Sequence, residues 1–216
     1  AKWLCEHASG CDADEFRENL DEFVSQRSGL QLDDMVRRFL GGEPLQYVMG
    51  RWSFRHLDLL VDQRVLIPRP ETEVIVDIVR DFLATQPQPH LVVDLGTGSG
   101  AIGLSLLQEL PLESATVWMT DASADAIDVA RANATGVGRR ATGARFAVGE
   151  WFAALPEDMT GTVDVVVSNP PYIAVGDPEV ENSVNEWEPH SALFAGDDGL
   201  NDIRDIVSDA PKWLRA

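Results

Sequence analysis

A chain of 216 residues, 44% hydrophobic and 25% charged, can bury one sizeable core plus a small appendage, which excludes a disordered or fibrous chain. No run approaches the roughly 18 consecutive apolar residues of a membrane span, and the first residues lack the basic-then-apolar order of a signal peptide, so a cytoplasmic protein without a membrane partner is expected. With 36 Asp and Glu against 17 Lys and Arg, the formal charge is -19, a field that repels phosphate backbones and disfavours nucleic acid as a direct substrate.

From Leu4 to about Phe39 apolar residues recur at helical spacing, first Phe16, Leu20, Phe23 and Val24, then Leu32, Met35, Val36 and Phe39. Two or three short helices are predicted. Cys5 and Cys11 are too few and too local for a disulfide framework or a zinc tetrahedron, even with His7 between them, so they read as helix-face residues and no metal is expected. Gly41-Gly42 breaks the pattern, and a domain boundary is placed near Gly50. Residues 1–50 thus form a small helical domain.

Between Trp52 and Ile67 loose alternation suggests a β-hairpin that turns at Val61-Asp62-Gln63-Arg64, and residues 51–70 read as a connecting hairpin. Glu71-Thr72-Glu73 then opens a helix carrying the pairs Val74/Ile75, Ile78/Val79 and Phe82/Leu83, with acids where the helix dipole favours them. Gln86-Pro87-Gln88-Pro89 stops it. Strands and helices follow in alternation: strands at 91–95, 115–120, 144–148 and 163–168, helices at 101–110 and 124–134. This α/β order predicts a parallel sheet, so residues 71–216 read as a Rossmann-like catalytic domain.

Asp94-Leu95-Gly96-Thr97-Gly98-Ser99-Gly100 sits where a buried strand hands over to a helix. Glycines there allow a sharp turn and close approach of a ligand to the free N–H groups of the helix start. Gly98, Gly100 and Gly103 also satisfy the dinucleotide spacing G-x-G-x-x-G, so the loop by itself is ambiguous. Asp121, about 20 residues on at the end of the next strand, is placed to accept hydrogen bonds from ribose hydroxyls. A nicotinamide cofactor and S-adenosyl-L-methionine both carry that ribose, and a helix cap is the plainer alternative for Asp121.

Ser168-Asn169-Pro170-Pro171-Tyr172 follows the fourth strand, at the carboxyl edge where open α/β sheets bind ligands. Its two prolines make it stiff, so its carbonyls have set directions. A nitrogen that attacks a methyl group gains positive charge and needs acceptors aimed at its N–H groups. The side-chain oxygen of Asn169 and the backbone oxygen of Pro170 supply two, and Tyr172 can cover one face of a planar amide. A Pro-rich structural turn is the alternative.

The run D-x-G-x-G-x-G resembles that of class I S-adenosylmethionine methyltransferases. The segments Gly42-Glu43-Pro44-Leu45-Gln46-Tyr47, Ile67-Pro68-Arg69-Pro70-Glu71-Thr72-Glu73, Ser168 to Tyr172, Glu188-Pro189-His190 and Gly196-Asp197-Asp198-Gly199-Leu200 extend the likeness. Together they are similar to the HemK/PrmC-type protein-glutamine N5-methyltransferases. The resemblance implies methyl transfer from S-adenosyl-L-methionine to a glutamine amide, in the Gly-Gly-Gln turn of a peptide chain release factor, and hence a role in translation termination. It implies cofactor contacts at Asp94, Gly96, Thr97, Gly98, Ser99, Gly100, Asp121, Trp151 and Asn169, and substrate contacts at Asn169, Pro170, Pro171 and Tyr172. Core packing is the alternative for Trp151, and a helix-start acid for Glu71, which the resemblance lets close over the cofactor. The helical domain at 1–50 is expected to help dock the protein partner.

In that family the sheet continues past the position of Leu214. The chain therefore reads as part of a longer one; were it to end there, its fourth strand would lie exposed at an edge.

Overall fold

The computed structural model describes residues 1–215 as two compact units, Ala1–Gly50 and Arg51 onward. The first unit holds α1 (Lys2–Ser9), α2 (Ala13–Glu18), α3 (Gln26–Leu40) and α4 (Leu45–Met49). Leu4, Ala8, Met35 and Val48 form its core. Asp12 caps α2 in a reciprocal capping box with Glu15, which satisfies donors that the short helix leaves open.

The helix-like spacing of Phe16, Leu20, Phe23 and Val24 is not realised as one helix. α2 ends at Glu18, and Leu20, Phe23 and Val24 lie exposed in the turn before α3. Gly42-Glu43-Pro44 has a structural reason: Arg38, in the last turn of α3, pairs with the buried Glu43 and donates to the carbonyl oxygen of Tyr47 at 3.0 Å. α4 thereby docks on the end of α3.

In the second unit, β1 (Arg51–Phe54) and β2 (Leu57–Leu60) pair antiparallel. The hairpin turns at Arg55-His56, not at Val61–Arg64, with Arg55 at a φ of 51°. A part-buried ion network holds that strained turn: Arg55 pairs with Glu109 and with Asp77 at 2.8 Å, and donates to the Glu73 carbonyl at 3.1 Å. Asp62, in the segment expected to turn, instead accepts from Arg64 N at 3.0 Å just past β2.

α5 (Glu73–Leu83) follows a short 3-10 turn at Pro70–Thr72. Then β3 (His90–Leu95), α6 (Ala101–Glu109), β4 (Ala115–Asp121), α7 (Ala124–Val137), β5 (Ala144–Val148) and β6 (Val165–Ser168) alternate as expected. The four strands form one parallel sheet in the order β5-β4-β3-β6. The central strand β3 is buried along most of its length, as a strand covered on both faces must be. α8 (Asn182–Trp187) and α9 (Asn201–Trp213) come after the sheet. Beyond α9, Leu214 forms a parallel bridge with Val163, just ahead of β6.

This topology places the ends of β3, β4 and β6 side by side, and the two loops of interest start there. Among the described residues no helix is long and apolar enough to cross a membrane.

Candidate active site

The glycine loop leaves β3 with Gly96, Gly98 and Gly100 at φ values of 67°, 54° and 83°. Side chains rarely adopt that region, so the glycines are needed for the backbone path itself. Asp94 lies beneath the loop, 1% exposed. Its Oδ2 accepts from Thr97 Oγ1 at 2.6 Å and from Gly103 N at 3.0 Å. Burial is the main cause that pushes its carboxyl up to about 7, against the two hydrogen bonds, with the nearby Asp121 charge adding to the rise. Asp94 thus braces the loop from below. Gly103 has a packing reason: a Cβ there would sit 2.7 Å from the Met119 side chain, which would have to shift to admit it.

Asp121, at the end of β4, accepts from Gly98 N and Ser123 N, both at 2.9 Å. The cap of α7 is Ser123, whose hydroxyl accepts from Ala126 N, so the plainer alternative for Asp121 does not hold. Burial also raises the Asp121 carboxyl. Asn133 of α7 locks the same corner. Its amide donates to Ser99 O at 2.9 Å and Leu60 O at 3.1 Å, and its oxygen accepts from Leu60 N at 2.7 Å. The glycine loop is thereby tied to the hairpin through one side chain that sequence reasoning did not single out.

A cleft of about 360 Å³ opens along these groups, within the usual range of small-molecule sites. Gly96, Thr97, Gly98, Ser99, Asp121, Trp151, Asn169 and Pro171 line it. Asp94 and Gly100 do not: the first is beneath the loop, and the second, the N-cap of α6, packs against Leu104 and Ala130. Trp151 holds a φ of 43°, and a Cβ on Gly96 would lie 3.4 Å from its ring. The indole therefore closes over the first glycine, while it also packs on the core around Phe152 and Trp213.

A second cavity of about 390 Å³ lies beside the first, lined by Arg69, Glu71, Pro170, Tyr172, Glu181 and Val184 among others. Asn169, Thr72, Leu66 and Ala192 line both cavities. Glu71 lines only the second. Tyr172 is 62% exposed at the mouth of that second cavity. The Asn-Pro-Pro-Tyr loop is thus divided, with Pro171 on one side, Pro170 and Tyr172 on the other, and Asn169 at the junction.

Several lining groups carried no sequence signal of their own, such as Leu66, Glu150 and Asp202. Asp202 is raised by burial and by its neighbours Asp205 and Glu150. Pro68, Thr72 and Pro189 lie in segments that the resemblance marked without giving them a role.

The family profile described as the PrmC N-terminal domain matches residues 1–50, and that of the methyltransferase small domain matches residues 74–186. A release factor glutamine methyltransferase of Xylella fastidiosa is 38% identical over 100% of this chain and 75% of its own length. The chain belongs to the release factor glutamine methyltransferase family. A second member, from Francisella tularensis, is 38% identical over 91% of this chain and 66% of its own. The chain therefore spans about two thirds to three quarters of the length of these curated relatives. Among solved structures, the hMettl16 catalytic domain in complex with an RNA hairpin aligns with a TM-score of 0.57 and 18% identity, over 98% of this chain and 75% of that one. That likeness supports the fold: a parallel Rossmann-like methyltransferase sheet with a helical N-terminal region and a small hairpin.

Proposed function

We propose that this protein transfers the methyl group of S-adenosyl-L-methionine to the side-chain nitrogen of a glutamine in a protein, the Gly-Gly-Gln turn of a peptide chain release factor. The observation that carries the reading is Asn169 at the junction of two adjacent cavities. One cavity has the features of a nucleoside site, and the other is open enough for a side chain presented on a turn. Such a substrate places the enzyme in the cytoplasm, where translation ends.

The residues of the first cavity fit the cofactor. Asp121 offers acceptors for ribose hydroxyls, the indole of Trp151 offers an apolar wall for a base, and the open backbone at Gly96 and Gly98 admits close approach. The charged groups on its wall are Asp121, Glu150 and Asp202 against Arg64. Three acids facing one base disfavour the pyrophosphate of a dinucleotide and suit a ligand with cationic sulfonium and ammonium groups. Bound there, S-adenosyl-L-methionine supplies an electrophilic methyl.

The chain's own work is orientation. The Asn169 side-chain oxygen and the Pro170 carbonyl accept from the two hydrogens of the glutamine amide, turn its lone pair toward the first cavity, and stabilise the charge that grows on nitrogen. Tyr172 covers the amide from the mouth of the second cavity. No general base is required, because an alkylated amide loses its proton readily to water. Unit Ala1–Gly50 is proposed to help dock the release factor.

The test is radiolabelled methyl transfer to a release factor, to total RNA and to DNA in parallel. Label is expected on the release factor alone, and to vanish when the target glutamine is replaced by glutamate, which has no N–H to anchor. Label on RNA instead, or on the glutamate variant, would overturn the amide clamp.

A further inference from the structure

The walls that meet at Asn169 are joined by one buried carboxylate. Glu188 is 5% exposed and follows directly on α8. Its Oε2 accepts from the backbone N–H of Ile67 at 3.0 Å, and its Oε1 pairs with the Arg69 guanidinium. Residues 61–69 contain no strand or helix, and Pro68 and Pro70 have no N–H to donate. Yet this segment supplies Leu66 and Pro68 to the cofactor cleft, and Leu66 and Arg69 to the second cavity. Besides the burial of Val61, Val65 and Ile67, Glu188 ties it to the opposite wall.

That opposite wall is fastened to the Asn-Pro-Pro-Tyr loop. Ile173, one residue past Tyr172, donates to Leu193 O at 3.0 Å and accepts from Ala195 N at 2.9 Å, and Val175 donates to Gly196 O at 2.9 Å. A Cβ on Gly199 would lie 2.4 Å from the Tyr172 carbonyl oxygen, so this glycine lets the strap rest directly on the backbone of the loop. His190 secures the middle: its Nε2 donates to Asn185 O at 2.8 Å, and its ring meets Phe194 edge-on at 5.4 Å. Phe194 and Ala192 then face the cofactor cleft.

We infer that Glu188 is a positioning residue. Through the strap 188–199 it sets the spacing between the Leu66–Arg69 wall and Asn169, and so the line between the glutamine nitrogen and the methyl group. This rests on the proposed glutamine methylation and adds to it a residue that touches neither substrate nor cofactor. The glycine loop is held by separate bonds, Thr97 to Asp94 and Asn133 to Ser99 O, and Asp121 by those it accepts from Gly98 N and Ser123 N. Loss of Glu188 should therefore spoil alignment more than cofactor affinity. A misplacement of about 1 Å can lower a rate by about a hundredfold.

The experiment compares wild type, Glu188→Gln and Glu188→Ala in the full-length protein. The readouts are kcat with release factor, calorimetric Kd for S-adenosyl-L-methionine, and hydrogen exchange of peptides spanning 65–69 and 94–100. Glu188→Gln keeps an acceptor for Ile67 N–H and loses the charge opposite Arg69. It should lose about tenfold in kcat, and Glu188→Ala about a hundredfold, with Kd within about threefold. Exchange should quicken over 65–69 and stay unchanged over 94–100. Should Glu188→Ala fail to fold, Glu188→Gln decides by the same readouts. Turnover within twofold of wild type in a folded variant, or parallel loss of Kd and of protection in both peptides, overturns the positioning role. Absence of glutamine methylation in the wild type would sink the parent reading instead, while exchange over 65–69 still reports on the strap.

Discussion

Asp94→Asn offers a test of the brace beneath the glycine loop, because the carboxyl is buried and its protonation should be written into the pH dependence of stability. In the unfolded chain the group has its ordinary value of 3.8, whereas in the fold it is pushed up to about 7. Between those values the native state binds the proton and the unfolded state does not. Stability therefore falls as pH rises through the window from about 4 to about 7, and is flat above it. At about 1.4 kcal/mol per unit, the full difference is roughly 4 kcal/mol, an upper figure for a buried acid whose surroundings can relax. Asparagine cannot titrate, and its oxygen can still accept from Thr97 Oγ1 and Gly103 N. Its NH2 group would stand where Oδ1 now has no partner, a cost of about 1–3 kcal/mol at every pH. Urea unfolding of both proteins from pH 4.5 to 8 separates the terms. The acids held below their ordinary values, Asp62, Asp77, Glu109 and Asp198, lose their contribution only toward pH 4 and below, and they cancel in the difference. Wild type should lead at pH 4.5 and lose that lead by pH 8. A difference that stays constant over the range would refute the raised carboxyl.

Asn169→Ala should lower turnover by about 10²–10³, as when one partner of an oxyanion hole is lost, with a much smaller change in cofactor affinity; turnover within about threefold of wild type would make the loop a structural turn. Asp121→Ala should weaken S-adenosyl-L-methionine by roughly 1.5–3 kcal/mol in calorimetry, the cost of a charged hydrogen-bond partner, and an unchanged Kd would leave Asp121 as only a brace for Gly98 and Ser123. Asn133→Ala removes three hydrogen bonds from a buried corner, so it should cost about 3 kcal/mol in denaturant unfolding; a loss below about 0.5 kcal/mol would show that the hairpin and the glycine loop hold without it.

The alternating order of strands and helices from residue 90 to 168 was legible because strictly local signals agree there: short apolar runs, periodic helices, and glycines or prolines at each break. The same holds for the two loops at the strand ends, whose chemistry follows from residue type and place. The expected short helices are there as α1 to α3, with Phe16 in α2, but Leu20, Phe23 and Val24 fall outside them and lie exposed, since spacing reports only which residues share a face and not what buries it. The hairpin turn was misplaced because Arg55 adopts a positive φ without a glycine, held there by Glu109 and Asp77 from helices distant in the chain.

The site divides in the same way. Sequence alone determined that a glycine loop, a strand-end carboxylate and an Asn-Pro-Pro-Tyr loop meet at one edge of a parallel sheet, since the order of elements forces those ends together. Only the tertiary structure decided that Asp94 lies under the cleft, that Asn169 stands between two cavities, and that Glu188 binds Ile67 and Arg69. Those facts depend on burial and on contacts across about 120 residues of chain, where a carboxylate gains its role from what surrounds it and local spacing carries no record of the partner.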